Sequence, residues 1–212
     1  MKVQKKKWMI AVSLLVAFVL WTAAVCLVDV QPIGPRGTSV GFAALNGFIH
    51  RVTGVHMSLY VLTDWLGLVL FGVVFAFALL GLAQWVRRKK LSAVDRSILI
   101  LGGFYVVVMA AYVFFEFVVI NYRPILIEGA LEASYPSSTT MLTLCVIPTA
   151  VMQLKNRIQN AAVWRCASFA MTVFAAFMVA ARLVSGVHWF TDIVGGILLS
   201  AGLVMGYKML SE

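Results

Sequence analysis

The stretch that decides the reading is "VAARLVSGVHWFTDIVGG", residues 179–196. It joins two apolar runs, about 163–184 and 189–209, and carries Arg182, His188 and Asp192 at the joint. Runs of about 20 apolar residues are the length a membrane-spanning helix needs. Charged groups at such a joint are costly to place near lipid, and so are functional candidates. His188 and Asp192 are four residues apart, a spacing that puts both on one helix face.

Working outward, the 212-residue chain is 62% hydrophobic and 12% charged. Ordinary soluble domains are about half apolar and roughly a quarter charged, and so short a chain cannot bury this much apolar surface in one aqueous core. The composition predicts an all-α integral membrane protein, a single domain over 1–212. Six spans are expected, at about 8–29, 64–86, 97–120, 138–154, 163–184 and 189–209. The first resembles a secretory signal, but its apolar stretch is longer than a signal h-region and reads as a retained anchor.

Of seventeen Lys and Arg, thirteen fall in "MKVQKKKW", "WVRRKKLSAVDR", "QLKNRIQNAAVWR" and "GYKMLSE". Basic segments between spans face the cytoplasm, which predicts both termini inside and the connections 30–63, 121–137 and 185–188 outside. The net charge of +9 therefore reads as topology. No aromatic residues interleave with the basic ones as stacking platforms, which argues against a nucleic-acid partner. Cys26, Cys145 and Cys166 have no metal-ligand spacing and read as apolar thiols. Residues 30–63 mix Gly and Pro with an amphipathic run, as a connector or an interfacial lid would.

With the basic loops set aside, the remaining ionisable groups in or beside spans are Asp29, Asp64, Glu116, Arg123, Arg182, His188 and Asp192. The predicted topology brings "FEFVVINYRP", "YPSSTT", "VAARLVSG" and "VHWFTDIVGG" to one membrane face. Two guanidinium groups grip phosphate oxygens well, and the helix start after Pro136, through Ser137 and Ser138, offers N–H groups to an anion. An Asp192 carboxylate holding one imidazole nitrogen of His188 leaves the other free as nucleophile or base.

These residues resemble the type 2 phosphatidic acid phosphatase (PAP2) superfamily of membrane lipid phosphatases, whose motifs are K-x6-R-P, P-S-G-H and S-R-x5-H-x3-D. The third is present as Arg182, His188 and Asp192 at full spacing, with Ala181 for the leading Ser. The first keeps Arg123–Pro124, but Glu116 stands at the Lys position. The second reads Pro136, Ser137, Ser138, Thr139, with Thr139 where the family has its acid histidine. The resemblance covers about 97–209.

It implies that His188 attacks phosphorus to form a phospho-histidine, oriented by Asp192. Arg123 and Arg182, with N–H groups near Ser137 and Ser138, would hold the phosphoryl oxygens, and no metal or other cofactor is expected. Thr139 is too weak an acid to protonate a leaving group, a step worth about 10²–10⁴-fold. The expected substrate is therefore a lipid diphosphate such as polyprenyl (undecaprenyl) diphosphate, whose leaving group is a stable anion, ahead of a lipid monophosphate. Stand-in acids would come from His50, His56, Glu128, Glu132 or Glu116, with His56 and Glu116 as weak candidates. Glu116 is open to pairing with Arg123 or Arg182, or to protonation. The expected setting is a bacterial-type plasma membrane, with the site facing outward and a homodimer compatible with it. The alternatives are an impaired pseudoenzyme that binds lipid phosphates and a lipid phosphotransferase. A small transporter is disfavoured because the charges cluster at one face.

Overall fold

The computed structural model describes residues 2–211, with side chains from residue 4 onward. The described residues form seven α-helices: α1 (Lys2–Leu27), α2 (Ala43–Thr53), α3 (Met57–Arg88), α4 (Arg96–Phe117), α5 (Ser138–Lys155), α6 (Ala161–Val184) and α7 (Phe190–Ser211). No strand forms among the described residues; the loops carry only isolated bridges. Five helices, α1, α3, α4, α6 and α7, are long and apolar enough to cross a membrane by length and composition.

The sixth predicted span, 138–154, is α5, which falls outside that set. Its 18 residues give about 27 Å of rise, slightly under the roughly 30 Å hydrocarbon thickness. It packs against α3, α4, α6 and α7, so its surface meets protein on most sides and has less need to be lipid-like. Thr140, Thr143, Thr149 and Gln153 are accordingly buried along it. Polar ties fix its neighbours. Gln153 donates to the Tyr207 hydroxyl at 2.6 Å and to the Ser97 carbonyl at 3.0 Å, and Tyr105 and Thr149 share a hydrogen bond at 3.2 Å. Such bonds contribute about 0.6 kcal/mol each between membrane helices, so packing of Leu101, Met141, Cys145 and Ala150 carries most of the cohesion.

The third helix corrects a boundary. The sequence places a span from residue 64, yet α3 begins at Met57. Thr63 bonds back to the Leu59 and Tyr60 carbonyls, and Asp64 is met by Arg182. Both polar groups are thus satisfied inside the helix. The expected connector 30–63 is correspondingly shorter and contains α2, whose Asn46 donates to the Gly41 carbonyl and to Thr191. That seats α2 across the start of α7.

Helix ends converge where the charged residues lie. Ser137 caps α5, its hydroxyl accepting from the Thr140 N–H. Between α6 and α7 the chain turns through Gly186 at φ +69°, where a Cβ would meet the Gly54 carbonyl oxygen at 2.0 Å. Only glycine fits there without strain. This turn presents His188.

Candidate phosphate site

Arg182, on the last turn of α6, is 2% exposed. Its Nη1 donates to the Tyr60 carbonyl at 3.3 Å and to Thr63 Oγ1 at 2.9 Å, and its Nη2 to Asp64 Oδ1 at 2.8 Å. The guanidinium carbon sits 4.8 Å from the centre of the Tyr60 ring, and that of Arg123 lies 5.7 Å from the same ring. Cations over an aromatic face are attracted by its quadrupole, so one tyrosine helps hold two like charges together.

Arg123 comes from the loop after α4, where its N–H bonds to the Glu132 carbonyl at 3.0 Å across a small hairpin. Its Nε lies 3.0 Å from a Glu132 carboxylate oxygen, an ion pair without the alignment of a hydrogen bond. Nη1 of the same side chain is 3.4 Å from His188 Nε2. The buried Nε of both arginines lacks a hydrogen-bond partner. A buried N–H left unpaired costs about 1–3 kcal/mol; that of Arg182 has no partner and that of Arg123 only a misaligned carboxylate, and both guanidiniums line one cavity, which suits an anion.

That cavity has a volume of about 710 Å3, within the range of small-molecule sites. Its polar end holds Arg123, Arg182, Asp64, Glu116, Glu132, Ser138 and Thr139, and its apolar end runs between α3 and α4 to Leu70, Phe71 and Met109. Thr139 and Glu116 thus line the cavity, as their motif positions imply. Glu116 forms no ion pair among the described residues; Glu132 and Asp64 hold the places beside Arg123 and Arg182.

His188 is buried at 3% exposure. Its Nδ1 lies 3.2 Å from the Ser134 carbonyl oxygen and 3.7 Å from Asp192 Oδ2. A carbonyl only accepts, so Nδ1 carries the proton and Nε2, on the Arg123 side, keeps its lone pair. Burial first, then the charges of Arg123 and Arg182, push the imidazole pKa well below its ordinary 6.5, with the Ser134 carbonyl pulling the other way. The direct imidazole–carboxylate bond expected from the sequence is therefore replaced by a backbone one. Asp192 instead accepts from the Trp189 N–H at 2.9 Å and from Asn121 Nδ2 at 3.2 Å. These bonds fix the turn that carries His188.

Two further expectations change. Ser137 is fully engaged: its hydroxyl caps α5 and its N–H donates to the Asp192 backbone carbonyl at 3.0 Å. Of the two serines, Ser138 is the one lining the cavity. Among the stand-in acids, His50 bonds to the Gly186 carbonyl at 3.1 Å and His56 to the Thr53 carbonyl at 2.9 Å. Neither lines the cavity, nor does Glu128; Glu116 and Glu132 do. Asn121, Ser134 and Tyr60 were missed because their roles are contacts across the fold, with no motif to announce them.

The geometry and motifs coincide with a family match: residues 100–210 match the PAP2 superfamily. The chain belongs to the PAP2 superfamily. The crystal structure of a transmembrane PAP2-type phosphatidylglycerolphosphate phosphatase from Bacillus subtilis has the same fold, with a TM-score of 0.55 over 94% of each chain and 19% identity. At that identity the likeness carries the fold alone. Curated proteins yield no match. The chain is thus an all-helical PAP2 member with five helices suited to a membrane.

Proposed function

We propose that this PAP2 protein is a membrane lipid phosphatase that works through a phospho-histidine at His188 and favours lipid diphosphates. The observation that supports it best is that Arg123 and Arg182 line one cavity, with Arg123 Nη1 at 3.4 Å from His188 Nε2 and the buried Nε–H of Arg182 unpartnered. A phosphoryl group held by Arg123 and Arg182 would satisfy the Arg182 Nε–H and compete with Glu132 for Arg123. His188 Nε2 attacks phosphorus and the bond to the leaving oxygen breaks. The Nδ1 proton stays on the imidazole, whose new positive charge is met by the Ser134 carbonyl and by Asp192 at 3.7 Å. Water then attacks the phospho-histidine, releasing phosphate and restoring the neutral ring.

The diphosphate preference follows from Thr139, which lines the cavity but cannot protonate an alkoxide at neutral pH. A diphosphate leaves as a phosphate monoester and needs that proton far less. In the proposed setting α5 is a sixth span, both termini lie in the cytoplasm and the site opens outward, in keeping with the basic loops.

Phosphate release from a panel of lipid mono- and diphosphates tests the reading. Faster turnover of the diphosphates, abolished by His188→Ala, is expected; equal or faster turnover of phosphatidic acid sinks the preference. A second reading, lipid phosphate binding without turnover, has one observation in its favour: Glu132 and Asp64 already pair with the two arginines. Binding without release from any lipid would select it.

A further inference from the structure

The cavity that holds the arginines does not end with its own apolar walls. At Met109 it meets a second cavity of about 560 Å3 between α3 and α4, since Met109 lines both. On α3 the first is lined from Tyr60 to Phe71 and the second from Val74 to Trp85. The second is lined almost wholly by apolar side chains, among them Ala78, Leu82, Leu99, Val106 and Trp85. Gly67 in the upper part and Gly102 in the lower leave open space where a Cβ would stand, with no atom within 4 Å.

The dimensions bear on what fits. From Asp64 to Trp85 the groove follows about 32 Å of helix at 1.5 Å per residue. That is about the whole hydrocarbon thickness of roughly 30 Å, so a single leaflet accounts for only about half. The upper cavity therefore corresponds to one leaflet and the lower to the other. The charged end fixes which way an occupant lies. Its two arginines take a phosphate, and the wall below offers a second headgroup only Tyr105, whose hydroxyl is bonded to Thr149, before Trp85 at the far end.

We propose that the lower groove is a chain-length subsite, which takes the distal part of a single substrate tail long enough to pass the bilayer midplane. This rests on the lipid-phosphatase reading above and adds a selection that the phosphate chemistry does not make. The ligand class is a lipid phosphate on one long, unbranched-backbone apolar chain, as a polyprenyl chain is. The paired acyl chains of an ordinary phospholipid stay within their own leaflet and leave the lower groove unused. Because the chain moves from lipid into an equally apolar groove, only packing contacts are gained. The discrimination is correspondingly modest.

The test uses the full chain in detergent and a series of prenyl phosphonates, whose carbon–phosphorus bond resists hydrolysis, so binding is read apart from turnover. The long-chain polyprenyl phosphonate is expected to bind about fivefold or more tightly than farnesyl phosphonate, a modest gain of the packing kind. Gly102→Phe and Ala78→Phe fill the lower groove from α4 and α3. Each should keep the farnesyl affinity, which also reports correct folding, and lose the advantage of the long chain. Equal affinity at all lengths in the unmodified protein overturns the inference and returns the lower groove to bulk acyl chains, while leaving the functional reading intact. A length preference that survives in both variants overturns it as well. No binding of any phosphonate overturns it together with the functional reading.

Discussion

Glu132→Gln is expected to tighten substrate binding. The Glu132 carboxylate lies 3.0 Å from Arg123 Nε, the donor that a phosphoryl oxygen would take. A bound phosphate on that arginine would sit about 5 Å from the carboxylate, where two unit charges repel by roughly 3 kcal/mol at an effective dielectric of 20. The Glu132 side chain is 42% exposed, so solvent screening cuts this to about 1 kcal/mol. That is about a fivefold fall in KM at low ionic strength, shrinking as salt is added. The backbone bond from Arg123 N–H to the Glu132 carbonyl remains, so the hairpin should hold and kcat should change little. Steady-state phosphate release at two salt concentrations gives the answer. A raised KM, or a fall in KM that salt leaves untouched, refutes the reasoning, because Glu132 would then be placing Arg123 instead of competing for it.

Thr139→His should raise turnover of lipid monophosphates by about 10²-fold or more and that of diphosphates much less; equal gains on both, in parallel kinetic assays, would mean that no acid is missing. The acid limb of kcat/KM should lie below pH 6.5, the ordinary histidine value. His188 acts as a neutral nucleophile, and its pKa is lowered by burial and by Arg123 and Arg182, so activity falls only when the pH drops through that lowered value. A pH profile already falling above 6.5 contradicts it. Ser137→Ala should cost about 1 kcal/mol of stability through the lost cap while leaving kcat nearly unchanged, measured by thermal unfolding beside activity. Gly186→Ala should fail to give a folded, active protein, because its Cβ would meet the Gly54 carbonyl at 2.0 Å in a left-handed backbone conformation; a near-normal melting temperature would count against that packing.

What could be read from the sequence was whatever is local. Apolar runs mark helices directly, and Pro136 with Ser137 marks the start of α5 correctly, since capping is a matter of neighbouring residues. The motif spacing predicts that Arg123, Arg182 and His188 meet, and the two arginines do share one tyrosine face while Arg123 reaches His188. The start of α3 was misjudged because the partner that makes Asp64 tolerable, Arg182, lies 118 residues away. The hold on His188 was misjudged for a related reason. Asp192 is four residues on, but His188 lies in the turn before α7, where the Ser134 carbonyl reaches Nδ1 more closely, and a backbone carbonyl leaves no trace in residue identity. Ser137 shows the converse, a motif residue whose hydrogen bonds are all spent on structure.

The central claim is covalent catalysis by His188, and it is tested most directly by trapping the intermediate. Purified protein would be mixed with a polyprenyl diphosphate labelled in its terminal phosphate, quenched in alkali within the first turnover, and mapped by peptide mass spectrometry. A phosphoryl group on His188, stable in alkali and lost in acid, and missing from His188→Ala, is the predicted result. Phosphate release at an undiminished rate by His188→Ala, or label found on another residue, would contradict it.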